Sequence, residues 1–180
     1  MTISLRPLET RDVAPIAAAF AALGWDKPAA QYERYLKDQK AGRRVVLVAF
    51  AADDAFAGYL TVVWEAGYPP FRDANIPEVV DFNVLPPLRH NGIGTRLMDA
   101  AEQLIAERGF PTVGIGVGMT PDYGAAQRLY VRRGYVPDGR GMVSGNKFVC
   151  HGDTVRVDDS LVLYLTKNLA RYSPPETVES

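Results

Sequence analysis

Val84-Leu85-Pro86-Pro87-Leu88-Arg89-His90-Asn91-Gly92-Ile93-Gly94-Thr95 passes from an apolar run through a proline stop and a glycine turn into a helical pattern. Proline has no amide proton with which to continue a ladder, so Pro86-Pro87 takes the chain out of a strand. Downstream, Ile93, Leu97, Ala100, Ala101, Leu104 and Ile105 repeat at helical spacing and Gly109 closes the run, which predicts an amphipathic helix. The first amides of a helix have no partner inside it, and the aligned peptide dipoles add partial positive charge at the same end. Gly92 and Gly94 allow close backbone approach and Arg89 adds a full charge, which is the chemistry of a diphosphate site. The same glycines serve equally to shape a tight turn with Arg89 solvated, so the loop by itself supports only an anion site. A dinucleotide fingerprint needs glycine where Leu97 stands, and a P-loop needs Gly-Lys-Ser/Thr where Gly94-Thr95-Arg96 stands; neither fits.

Upstream, Ile3 to Arg6 alternates like a strand, and Thr10 reads as the N-cap of a helix starting near Arg11, with Gly24 at its C-terminal side. A more polar helix is expected from Pro28 to about Lys40, then strands at Arg44 to Phe50 and Phe56 to Trp64, joined by a turn at Asp53-Asp54. Glu65 to Ile76, with Pro69, Pro70, Tyr68 and Phe71, reads as a long surface loop before a strand at Glu78 to Leu85. Pro111 to Val117 reads as a short strand, Pro121 opens a helix that Gly134 ends, and Tyr135-Val136 starts another strand. The glycine-rich polar stretch Pro137 to Asp159 is expected to hold a strand at Lys147 to Cys150, and Leu161 to Leu165 reads as the last strand. Residues 1–170 are expected to form a single domain and 171–180 a disordered tail.

The chain has 180 residues, 47% hydrophobic and 23% charged, with 20 basic and 21 acidic side chains. That length supports a sizeable core, and the balanced charge gives no footprint for nucleic acid. No window approaches the roughly 18 apolar residues of a membrane span, so no membrane role is expected. A lone cysteine, Cys150, offers neither a disulfide pair nor a metal cluster; a cytoplasmic setting and no metal are expected.

With these residues in view, the sequence resembles the GCN5-related N-acetyltransferase (GNAT) superfamily. Arg89-His90-Asn91-Gly92-Ile93-Gly94 matches the family's Gln/Arg-x-x-Gly-x-Gly/Ala loop, and Ala126-Gln127-Arg128-Leu129-Tyr130-Val131-Arg132-Arg133-Gly134-Tyr135 is similar to its Ala-x-x-Leu-Tyr-x-x-x-Gly-Phe block. Tyr123 stands where that block often opens with asparagine. The resemblance implies an α+β fold, an α/β sandwich whose mixed, mostly antiparallel central sheet has splayed parallel strands and flanking helices. It implies acetyl-CoA held between the Glu78 to Leu85 and Thr112 to Val117 strands. The pantetheine would pair with backbone at Phe82, Asn83 and Val84, the pyrophosphate would sit on Arg89, His90, Asn91, Gly92, Ile93, Gly94 and Thr95, and Tyr123 and Ala126 would lie at the cofactor arm. Glycines 114, 116 and 118 are explained as well by a local strand opening as by a bulge or close helix packing.

Transfer to an amine whose ordinary pKa is about 10.4 requires a base. The resemblance implies Glu78 in that role, acting through water, against the alternative of an exposed residue at a strand's start; Asp81 is the rival, expected on the opposite strand face and in a structural or substrate-binding role. Tyr130 occupies the family's position for the acid that protonates the departing thiolate, although an aromatic on a helix face is ordinarily core. Cys150 and its neighbour His151 form no recognisable nucleophile arrangement, so direct attack in a ternary complex is expected. Trp25, Tyr32, Trp64, Tyr68, Phe71 and Arg72, with Asp81, are candidates to contact a small-molecule or peptide amine. The segment Gly139 to Asp159 reads as a projecting hairpin that crosses to a second subunit, giving a homodimer. The alternatives are a non-catalytic acyl-CoA-binding or sensing module, which needs no Glu78 or Tyr130, and a phosphate-ligand protein unrelated to CoA.

Overall fold

A computed structural model describes residues 2–169, apart from the side chain of Asp53; the expected tail at 171–180 lies outside them. The fold is mixed and mostly antiparallel, with helices flanking the strands. The chain divides into two compact units, residues 1–65 with 79–104 and residues 66–78 with 105–180.

In the first unit the strands run in the order β1 (Ser4–Pro7), β2 (Arg44–Phe50), β3 (Phe56–Val63), β4 (Glu78–Val84), of which Glu78 itself falls to the second unit. β1 and β3 both pair antiparallel with β2, and a bulge lies at Ala49/Phe50. Helices α1 (Val13–Ala21) and α2 (Ala29–Lys40) bury Ile16, Phe20, Tyr32 and Leu36 with Val46, Val48 and Tyr59. The expected cap moves by one residue. Glu9, not Thr10, caps a 3-10 turn at Thr10–Asp12, and the Asp12 carboxylate accepts the Glu9 amide at 2.8 Å. Asp12 is available for this reciprocal box because Arg6 grips it with two bonds of 2.6 and 2.7 Å, a geometry that fixes direction as well as charge.

The second unit orders its strands β5 (Thr112–Gly118), β8 (Leu161–Asn168), β6 (Val136–Ser144), β7 (Lys147–Phe148). The registered pairings within it are antiparallel. Two expectations are corrected there. The surface loop over 65–76 contains a short helix, α3 (Pro69–Asp73), and its aromatics Tyr68 and Phe71 are each only 2% exposed. Both prolines occupy the first helical positions, where a missing amide costs nothing, so residues that read as breakers start a helix instead. In the glycine-rich stretch 137–159 the strand begun at Val136 extends to Ser144, and the one expected at 147–150 covers only Lys147–Phe148. The register of β6 against β8 jumps between Pro137 and Met142 because Gly139 and Gly141, at φ 84° and 77°, bulge out of the ladder. The rest of the unit is α5 (Gly124–Arg132), entered by a 3-10 turn at Pro121–Tyr123. The amphipathic helix α4 (Ile93–Glu107) forms as its spacing predicts, with Ile93, Leu97, Ala101 and Ile105 at 1% exposure or less.

The alternating glycines of β5 take up rings. A Cβ on Gly114 would lie 2.3 Å from Phe71, one on Gly116 would lie 3.0 Å from Tyr164, and one on Gly118 would lie 2.5 Å from Tyr123. Close packing thus accounts for all three. Gly114→Ala is expected to lower unfolding free energy by about 1–3 kcal/mol through overpacking. Gly124→Ala, in helix with nothing within 4 Å, is expected to be neutral or to stabilise by up to about 1 kcal/mol; urea melts of the two variants make the comparison.

Candidate functional site

In the first unit, β4 ends at Val84, a 3-10 turn spans Pro86–Leu88, and α4 begins at Ile93. His90 and Gly92 take left-handed φ values of 64° and 77°, which reverse the chain so that the helix starts immediately after the turn. The Arg96 amide bonds the Gly92 carbonyl at 3.0 Å, so the N–H groups of Ile93, Gly94 and Thr95 precede the helix's own bonding pattern. Arg89, His90, Asn91, Gly92 and Thr95 are exposed, and Gly94 is half-buried. A Cβ on Gly94 would lie 3.1 Å from the tip of the Phe82 ring and 3.7 Å from Val84 Cγ2. Arg89 is held low over the turn by its Nε bond to the Val84 carbonyl at 3.2 Å, and the Asn91 amide braces the carbonyls of Leu88 and Arg89 at 3.2 and 3.1 Å. Free amides, a left-handed glycine and an exposed guanidinium fit a diphosphate.

Asp81 sits in β4 with φ 49°, so regular strand alternation fails at this residue. Its carboxylate accepts five donors: Lys27 Nζ at 2.6 Å and Asn83 Nδ2 at 2.9 Å on Oδ1, and Gln31 Nε2 at 2.8 Å, Tyr35 Oη at 2.8 Å and Tyr59 Oη on Oδ2. Burial works against its charge, but Lys27 and Tyr59 outweigh it and hold the carboxyl below the ordinary range. With its acceptor capacity used by the protein, Asp81 is a clasp between α2, β3 and β4. Tyr32, 0% exposed, has its hydroxyl 3.5 Å from that of Tyr59 and belongs to the core around this clasp. Trp25 stacks on Phe20 at 5.5 Å and, like Trp64, is half-buried.

In the second unit, Glu78 is 6% exposed and its carboxylate accepts the backbone amides of Tyr68 and Gly67. The exposed strand-start alternative is thereby excluded. Burial pushes its pKa up to about 7, and the two amides only partly oppose the shift. Tyr130 is 5% exposed, beside the Tyr135 ring at 5.9 Å, and burial raises its phenol above the ordinary value, so it carries its proton at neutral pH. Tyr123 covers Gly118 and donates to Asp159 at 3.0 Å; burial and that carboxylate raise its pKa. Ala126 is half-buried on α5. A groove of about 450 Å³ is lined by Tyr68, Pro69, Pro70, Asp73, Arg140 and Phe148, among others. Phe71 is buried against Tyr68 at 4.9 Å, while Arg72 is exposed. Cys150 is exposed with a free thiol. Among the described residues no group of three metal-ligating side chains occurs, and no helix is long and apolar enough to cross a membrane.

Residues 13–135 match the model of the acetyltransferase (GNAT) family. The chain belongs to the GNAT family. No curated protein sequence matches it significantly, but solved structures share its fold. yncA, assigned as an acetyltransferase, from Salmonella typhimurium, with its cofactor acetyl-CoA, has a TM-score of 0.67 at 18% identity over 98% of this chain and 99% of its own. The PaiA N-acetyltransferase of Thermoplasma acidophilum, in complex with coenzyme A, gives 0.65 at 16% identity, covering 93% and 99%. Mutant forms of the spermidine/spermine N-acetyltransferase SpeG of Vibrio cholerae give 0.65 at 18% identity, covering 95% and 97%. The chain is thus a GNAT acetyltransferase by family, and the likenesses show the GNAT fold.

Two features around these carboxylates were not legible in this GNAT sequence. Lys27, Gln31, Tyr35 and Tyr59 converge on Asp81 from up to 54 residues away, and periodicity carries no signal for that convergence. The amides of Gly67 and Tyr68 are backbone groups, which sequence does not mark. Because the folded Glu78 pKa lies above its ordinary value of 4.5, its contribution to stability is fully present below about pH 4.5 and is lost as pH rises toward 7. Glu78→Gln, which cannot ionise, is therefore expected to gain about 3 kcal/mol over wild type between pH 4 and pH 8. Denaturant melts across that range check it; a difference between the proteins that does not change with pH would contradict it.

Proposed function

We propose that this GNAT protein transfers an acetyl group from acetyl-CoA to a primary amine of a small molecule or peptide, directly and without a covalent enzyme intermediate. The observation that carries the catalytic reading is the burial of Glu78, which leaves a carboxylate with a proton affinity near neutrality, as a general base at pH 7 requires. The match of 13–135 to the family supports the reaction class.

Bound acetyl-CoA supplies the acetyl thioester. Arg89 and the amides of Ile93, Gly94 and Thr95 are assigned to its pyrophosphate, with His90, Asn91 and Gly92 shaping the turn and Tyr123 and Ala126 along the arm. Of the backbone at 82–84, Phe82 and Val84 are the better partners for the pantetheine. The Leu85 amide donates to Ala57 of β3 at 3.0 Å, and the Asn83 carbonyl oxygen lies 2.5 Å from where a Cβ on Gly58 would stand. Residues 83 and 85 thus face β3, and by alternation 82 and 84 turn their polar groups the other way.

Glu78, through a water, takes a proton from the acceptor ammonium so that the nitrogen lone pair can attack the acetyl carbonyl carbon. As the carbon–sulfur bond breaks, Tyr130 gives its proton to the sulfur and regains one from solvent; the amide nitrogen releases its second proton to water. The groove beside Tyr68, with proline and aromatic walls and the charges of Asp73 and Arg140, is the proposed seat of the acceptor's body, and it suits an amine with an apolar portion. The second reading, a non-catalytic acyl-CoA sensor, has no specific observation in its favour, since a sensor has no use for a buried base.

Incubation with acetyl-CoA and a panel of amines, following free thiol, is expected to show turnover whose kcat/KM rises through an apparent pKa near 7. Glu78→Gln should lower kcat by about 10²–10⁴ and Tyr130→Phe by about 10–10³. CoA binding without turnover on every amine would leave the sensor. Gly94→Glu, which adds charge and pushes against Phe82, is expected to abolish CoA binding in calorimetry while far-ultraviolet circular dichroism is unchanged; retained affinity would move the pyrophosphate elsewhere.

A further inference from the structure

Glu78 is held by the segment that precedes it, and Tyr68 anchors that segment together with Phe71. Gly67 and Tyr68 give their amides to the Glu78 carboxylate. Tyr68 is fixed on three sides. Its ring lies flat on Tyr164 of β8, with centroids 3.6 Å apart and planes 2° apart, Phe71 meets it edge-on at 4.9 Å, and its hydroxyl donates to Asp138 Oδ2 at 2.9 Å. Asp138 belongs to β6, its side chain is 6% exposed, and its other oxygen accepts the Arg140 amide at 2.9 Å. Tyr68 also begins α3, whose residues Phe71 and Arg72 donate their amides to its carbonyl at 3.1 Å. These contacts tie the backbone at 67–68 to β6 and β8 through the Tyr68 side chain.

We propose that Asp138, through Tyr68, is a positioning residue for Glu78: it fixes the two amides that orient the carboxylate toward the acceptor. The proposal rests on the reading of Glu78 as the base. Charge-assisted bonds from a hydroxyl to a buried carboxylate are directional and roughly twice as strong as neutral ones, whereas a flat ring stack sets the plane of Tyr68 more than its position within that plane. Stack and bond together fix the residue. The titratable and charged groups that face this cluster are Tyr68 from its own segment, Tyr164 from β8, which feels the Glu78 charge, and Asp138 and Arg140 from β6. The groups that favour the Glu78 anion are the two amides, so loosening them must favour the protonated form.

The test uses Tyr68→Phe, which keeps the ring and the stack and deletes only the bond to Asp138. In the full-length protein the rising limb of kcat/KM against pH is expected to move up by about one unit, with kcat at pH 7 down about tenfold. KM for acetyl-CoA should stay within about twofold of wild type, since a change confined to the base lowers kcat and kcat/KM together. Asp138→Ala should lower kcat similarly, and Asp138→Asn, whose amide oxygen still accepts the hydroxyl, should restore it. A folded Tyr68→Phe protein with wild-type kcat and an unmoved limb overturns the proposal. Glu78→Gln separates the two levels: if it is inactive while Tyr68→Phe is normal, only the positioning role falls, and if it retains full turnover, the base and its positioning fall together.

Discussion

Taking a carboxylate out of water is the constraint on which this molecule's chemistry depends, and β4 solves it in two opposite ways. Asp81 is surrounded by a lysine, two tyrosine hydroxyls and two amides, and its charge is kept. Glu78 is given two backbone amides and little else, and its pKa climbs to about 7. Environments that push two carboxyls in opposite directions separate their tasks. The fully satisfied one binds elements together, and the under-satisfied one is left able to exchange a proton. Asp81 pins α2 and β3 to β4 at a residue whose own φ of 49° would otherwise be a point of weakness.

The same economy governs the glycines. In the turn before α4, Gly92 supplies a left-handed φ and Gly94 allows Phe82 to lie close to the helix start. In β5 the glycines have a different purpose: each yields its side-chain volume to an aromatic ring carried by another element. One ring is Phe71 of α3, so the helix formed by the segment after Trp64 is seated by a missing side chain on the strand it covers. That seat is a packing constraint, and it places Tyr68, the next aromatic along, over Tyr164.

Legibility in the sequence followed the reach of each interaction. β2, β8 and α4 were readable because local periodicity sets them, and the turn from Pro86 to Gly94 was readable because proline and glycine act through their own backbones. The short helix at Pro69–Asp73 was hidden because the rule that prolines break helices has an exception at the first turn. The bulged course of β6 was hidden because Gly139 and Gly141 look like loop residues until β8 is beside them. The burial of Glu78 and the surroundings of Asp81 depend on residues distant in sequence, so a single chain read locally shows a carboxylate without its environment. The roles proposed for Glu78 and Tyr130 come from the family resemblance, and what the structure adds is that both side chains are buried.

The most direct measurement is a titration of the Glu78 side-chain carboxyl by carbon-13 NMR in the folded protein, with the resonance assigned by its loss in Glu78→Gln. The account predicts a midpoint near 7, set by burial. A midpoint between about 4 and 5, the range of a solvated glutamate, would contradict it.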